Sequence, residues 1–155
     1  MCLVIDTCAL SGVFNPENSR HPDFVPVNSW IYKGKGKVVY GGTRYIRELE
    51  RADRYLTVFV ELGRINKAVK INDSAVDKQE RRVSQKVNDK AFDDAHLIAI
   101  LSVSRCRLIC TTEKRAIPFL KDSSLYPKGV KRPKIYSRRE HRDLLCDANI
   151  ADCCR

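Results

Sequence analysis

Residues 2–6 read CLVID, four consecutive apolar side chains closed by a carboxylate. An unbroken apolar run of that length fits a strand buried on both faces, as in a parallel sheet, and such a strand delivers Asp6 and Thr7 to its carboxyl end. The same pattern returns at Leu108–Cys110, where LIC is followed by Thr111, Thr112 and Glu113. Working outward, Lys37–Tyr40, residues 69–71 and Lys134–Tyr136 read as further strands. Helices are expected over 43–63 with Thr43 as N-cap, over 73–87, from Asp93 to about 104, over 117–121 and over 139–148. Strand and helix alternate, so the expected class is α/β: a three-layer α/β/α arrangement around a central, mostly parallel sheet of four or five strands. Residues 11–36 carry Pro16, Pro22 and Pro26 and end in KGKGK, which reads as a long loop, and residues 149–155 read as a flexible tail.

The chain has 155 residues, 43% of them hydrophobic, which suits one domain over 1–155 with a single core. Its formal net charge of +10 points to a polyanionic partner, nucleic acid before an acidic membrane surface. No stretch approaches the roughly 18 apolar residues of a spanning helix, and the N-terminal run lacks a basic lead-in, so a cytoplasmic protein is expected. Seven cysteines, an odd number lying mostly in apolar segments, suit reduced core thiols. Without CxxC spacing or a matching His interval, zinc is not expected, and Cys153 and Cys154 fall in the tail.

Four acids stand where strands stop or helices begin: Asp6, Glu48, Asp94 and Glu113. On the helix beginning near residue 43, Tyr45, Leu49, Ala52 and Leu56 form the apolar stripe. Glu48 lies at its border, about 70° from the centre at about 100° per residue. A surface ion pair is the ordinary explanation for Glu48, and a helix cap that for Asp93, with Asp94 one residue further in. A carboxylate directly after a buried strand is harder to account for that way. Four carboxylates in one pocket repel one another by about a kcal/mol or more per pair, and a hard divalent cation relieves that repulsion. Oxygen donors without His or Cys select Mg²⁺ or Mn²⁺, held by Asp6, Glu48, Asp94 and Glu113. Thr7, Thr111 and Thr112 supply supporting hydrogen bonds, and Asp93 is a reserve ligand. Such a site at the carboxyl ends of parallel strands fits phosphodiester hydrolysis.

The stretches VIDTCAL, YIRELER, DDAHLIAI and LICTTEKR, in that order, resemble the PIN domain nucleases. That resemblance implies a Mg²⁺- or Mn²⁺-dependent endoribonuclease acting on single-stranded RNA, with Asp6, Glu48, Asp94 and Glu113 as the acidic set. It also brings the inhibitory protein partner of toxin–antitoxin members into view and leaves a homodimer open. One departure stands out: the family most often has Asp after the fourth strand, where this chain has Glu113. The added methylene extends the reach by roughly 1.5 Å and exchanges direct coordination for contact through water, or leaves a weakened enzyme.

Other chemistries fit less well. A haloacid-dehalogenase-type phosphatase needs a second Asp at position 8, which is Cys, and Cys110 to Arg115 is one residue short of a cysteine-phosphatase loop. His96 reads as a satisfied core histidine. The rival from another class is a non-catalytic, basic nucleic-acid-binding module on the same fold. For either reading the nucleic-acid contacts are expected at Lys33, Lys35, Lys37, Lys128, Lys131, Arg132, Arg138 and Arg139, with Arg81, Arg82 and Lys134 as further basic candidates and Trp30, Tyr126 and Tyr136 for base stacking.

Overall fold

The structure, a computed structural model, describes residues 2–149 and 151–154, Asp53 by its backbone alone. Five strands, β1 (Cys2–Ile5), β2 (Lys37–Tyr40), β3 (Ala68–Lys70), β4 (Leu108–Cys110) and β5 (Lys134–Tyr136), form one sheet in the order β3-β2-β1-β4-β5. Every pairing is parallel, with Leu3 opposite Val38 and Val4 opposite Ile109. Helices flank the sheet: α1 (Leu10–Phe14), α2 (His21–Tyr32), α3 (Thr43–Arg51), α4 (Asp53–Arg64), α5 (Asp73–Lys86), α6 (Ala95–Ser104) and α7 (Ile117–Leu120). The α/β architecture is the expected one, and the two strands with unbroken apolar runs, β1 and β4, are buried at every residue.

Strand order decides where a ligand can sit. From β1 the chain crosses to β2 on one side, and from β4 it crosses to β5 on the other. The loops leaving these neighbouring strands therefore diverge, and a crevice opens at their carboxyl ends. Asp6 follows β1 there and Thr111 follows β4. The backbone binds the two loops together, with Asp6 N–H donating to Cys110 C=O at 2.8 Å.

Several local expectations are corrected. Residues 11–36 are not a long loop, because α1 and α2 occupy most of them. Pro22 sits in the first turn of α2, where its missing N–H costs nothing, and Phe24, Val27 and Ile31 recur at helical spacing and are fully buried. The helix expected over 43–63 breaks at Ala52 (φ −104°, ψ 60°) into α3 and α4. Its N-cap is Gly42 rather than Thr43, whose backbone N–H and hydroxyl donate instead to the two carboxylate oxygens of Asp77. The C-terminal helix is replaced by short 3-10 segments, Arg139–Leu144 and Asp147–Asn149.

The tail is docked, not loose: Asn149, Ala151 and Cys154 are buried and Asp152–Cys154 forms a 3-10 turn. Residues 150 and 155 of that tail lie outside the described residues. Among the described residues no helix is long and apolar enough to cross a membrane.

Candidate acidic site and its arginine groove

Asp6 is 4% exposed, a carboxylate in the floor of the crevice. Its Oδ2 accepts from the Thr111 hydroxyl at 2.6 Å and its Oδ1 from Cys8 N–H at 3.4 Å. Among the described residues it has no cationic partner. Asp94, at the N-cap position of α6, lines the same cavity. That helix begins at Ala95, two residues later than the sequence suggests, and neither Asp93 nor Asp94 caps it by its side chain. The Asp94 carboxylate makes no hydrogen bond or ion pair among the described residues. Partial burial, and then the negative charge of Asp6, push its pKa up to about 6.

Glu48 projects from α3 into the same cavity. Thr7 Oγ1 donates to its Oε2 at 2.7 Å, and Arg44, one turn earlier, holds its Oε1 at 3.4 Å. Burial raises its pKa, but the His96 imidazole, the Thr7 hydroxyl and Arg44 outweigh that and hold it at about 2. The His96 ring is 1% exposed and is not the satisfied core histidine expected. Its Nε2 lies 3.6 Å from Glu48 Oε2, beyond hydrogen-bonding distance, and neither ring nitrogen is hydrogen-bonded.

Asp6, Glu48, Asp93, Asp94 and Glu113 line one cavity of about 290 Å³, together with Thr7, Cys8, Arg44, Phe92 and Arg115. Within it they are not equivalent. Asp93 forms a 2.6 Å ion pair with Arg44. Glu113 is exposed, and its Oε1 folds back to accept Arg115 N–H at 3.0 Å. No three carboxylates among the described residues bring an oxygen each within 4.8 Å of one another. Thr112 turns from the acids, its hydroxyl 3.3 Å from Cys8 Sγ.

The donor set therefore fits a hard cation at Asp6 and Asp94 and not at all four acids. Mg²⁺ is held by one or two carboxylates with several waters retained, which these two side chains can provide. Glu48 and Asp93 already share the charge of Arg44, which also reaches Glu80 at 3.8 Å.

Arg44 marks a second feature, of whose arginines the sequence reading had singled out only Arg81. A larger cleft of about 820 Å³ shares Arg44, Glu48 and Asp93 with the acidic cavity and adds Arg47, Arg51 and Arg81 from α3 and α5, with Asp77 and Glu80 also in its wall. The i, i+4 spacing of Arg44 and Glu48 was the available signal. Of the basic residues singled out from the sequence, Arg81 lines this cleft, and most of the others are placed elsewhere. Lys33, Lys35 and Lys37 precede or begin β2, and Lys128, Lys131 and Arg132 precede β5, so both sets lie toward the amino ends of the strands. Arg138 and Arg139, after β5, stand at the acidic end. Trp30, Tyr126 and Tyr136 are buried and cannot stack on bases. Phe92, in the cavity wall and stacked on Phe119 at 4.1 Å between centroids, is the aromatic ring the site offers.

Compared with family models, curated proteins and solved structures, the chain matches none of them.

Proposed function

We propose that this chain is a PIN-like, Mg²⁺- or Mn²⁺-dependent nuclease that cleaves single-stranded RNA at the Asp6–Asp94 cavity. The observation that carries this reading is a pair of carboxylates without cationic partners, one buried and the other with its pKa raised by partial burial and then by its neighbour's charge, at the switch point of a parallel sheet. Maintaining two such charges side by side is costly unless a cation joins them. Bound there, a divalent cation supplies acid strengthening of a water and charge neutralisation at a phosphodiester.

The chain's own residues do the rest. Asp6 and Asp94 would hold the cation, and Thr111 fixes the orientation of Asp6 by its 2.6 Å bond. Thr7 and Arg44 fix Glu48 on the opposite wall. Arg47, Arg51 and Arg81 bind backbone phosphates and lead the strand from the larger cleft toward the acids. Arg44 bridges the two chambers, and its release from Asp93 to a phosphate would open the way between them.

A second reading, a nucleic-acid-binding module without catalysis, is favoured by the absence of a tight carboxylate trio among the described residues and by Arg44 inside the cluster. Incubating defined RNA and DNA oligonucleotides with the protein, with and without each cation, separates the two. Cation-dependent cleavage establishes the nuclease, whereas retention of RNA without cleavage establishes the binder.

A further inference from the structure

At the end of β1 remote from Asp6, four cysteines from three parts of the chain converge. Cys2 opens β1, Cys106 lies between α6 and β4, and Cys153 and Cys154 come from the docked tail. Cys2, Cys153 and Cys154 place their sulfurs within 4.8 Å of one another, and they are the one group of three or more metal-ligating side chains this close among the described residues. Cys153 Sγ lies 3.7 Å from Cys154 Sγ, and Cys106 stands outside this set of three, its Sγ 3.8 Å from Cys2 Sγ. A tetrahedral zinc–thiolate centre with Zn–S bonds of about 2.3 Å separates its sulfurs by about 3.8 Å.

We propose that Cys2, Cys153 and Cys154, with Cys106 as the fourth sulfur, form a thiolate site for Zn²⁺ that pins the end of the chain to the start of β1.

Packing of small apolar side chains explains buried cysteines one at a time. It does not explain why a tail with two adjacent cysteines docks with both against Cys2. Nor does it account for the polar contacts of Cys2, whose sulfur accepts Ala151 N–H at 3.3 Å as well as approaching Cys106. An N–H aimed at sulfur is the kind of contact that supports a coordinated thiolate. Cys106 now donates to Cys2 C=O at 3.2 Å, so its joining the ion exchanges that bond for one to the metal. Each thiol that ligates releases its proton to solvent.

Sulfur donors select a soft or borderline ion, whereas the oxygen donors of the acidic cavity select a hard one, so the two sites do not compete for the same metal. The strand between them is four residues, about 13 Å. A closed tetrathiolate centre is structural, and its energy goes into tail docking.

The test uses the full chain, reduced and stripped of metal, titrated with Co²⁺ and then Zn²⁺. The expected result is one Co²⁺ per chain with sulfur-to-cobalt charge-transfer absorption and tetrahedral d–d bands, lost when Zn²⁺ displaces it. Metal should also protect the C-terminal residues from carboxypeptidase. The doubly substituted Cys153→Ser, Cys154→Ser chain should lose the band while keeping its circular dichroism, and Cys146→Ser should retain it. Because only tail residues change, loss of the global fold is not expected, and single Cys153→Ser provides a milder version. No charge-transfer band with all thiols titrating as reduced would overturn the proposal. So would an unchanged band in the double variant, or a Cys2–Cys106 disulfide in a chain that takes up no metal when reduced. None of these readouts depends on RNA cleavage.

Discussion

Asp94 connects the stability of this protein to its proposed chemistry. Its carboxyl ionises at about 6 in the folded chain against an ordinary 3.8, so between those pH values the folded state binds a proton that the unfolded state has lost. Stability contributed by this group therefore falls as pH rises through that window, and the penalty is complete above about pH 6. Asp94→Asn removes it. In chelator, the variant should melt at a higher temperature than the parent at about pH 7 and show little difference near pH 4, as measured by paired thermal melts. Cleavage at neutral pH should be lost at the same time, a separation of stability from activity that a purely structural Asp94 would not produce.

Thr111 makes a narrower prediction. Thr111→Val keeps the shape and removes the hydroxyl that fixes Asp6. Loss of such an orienting bond should lower cleavage about 10- to 100-fold at saturating RNA, with RNA affinity unchanged in a filter-binding assay. The place of Asp6 in the cavity could be read from the sequence, since a carboxylate that directly follows a buried strand emerges at the strand's carboxyl end. Glu113 could not be resolved that way: its capping of Arg115 N–H depends on the turn after β4, and nothing in TTE announces it.

Among the elements, β1 and β4 were the most legible, because four- and three-residue apolar runs bounded by polar residues leave few alternatives. α2 was hidden. Three prolines and three asparagines interrupt residues 11–36, although Phe24, Val27 and Ile31 already have helical spacing. The break at Ala52 was invisible for a different reason: residues 45–56 keep their apolar stripe through it. Gly42, by contrast, has an identifiable role. Its φ of +89° turns the chain from β2 into α3, and an added Cβ would meet Val76 Cγ1 at 2.5 Å. Gly42→Ala should cost about 1–3 kcal/mol from the backbone alone, seen as a lower urea midpoint, and it should also misplace Glu48 on α3.

At the scale of the molecule, the net charge of +10 indicated a polyanion but not where it binds. Under the proposed reading, the direction of the strands separates the candidates. Lysines ahead of β2 and β5 are a strand length from the acids, whereas the arginines of α3 and α5 adjoin them. Replacing Arg47 and Arg81 by Ala should weaken RNA binding and reduce the dependence of log K on log salt by about one for each phosphate no longer neutralised. Replacing Lys33 and Lys35 should change that slope little.

The most direct measurement is cleavage of a single-stranded oligoribonucleotide by the parent and by Asp6→Asn, with Mg²⁺, with Mn²⁺ and with chelator, alongside RNA affinity. The parent should cut only with a cation. The variant should cut at least about a hundredfold more slowly, equivalent to about 2.7 kcal/mol of charge stabilisation, while binding RNA as tightly as before. Cleavage that persists in chelator, or an Asp6→Asn chain as active as the parent, would contradict the account.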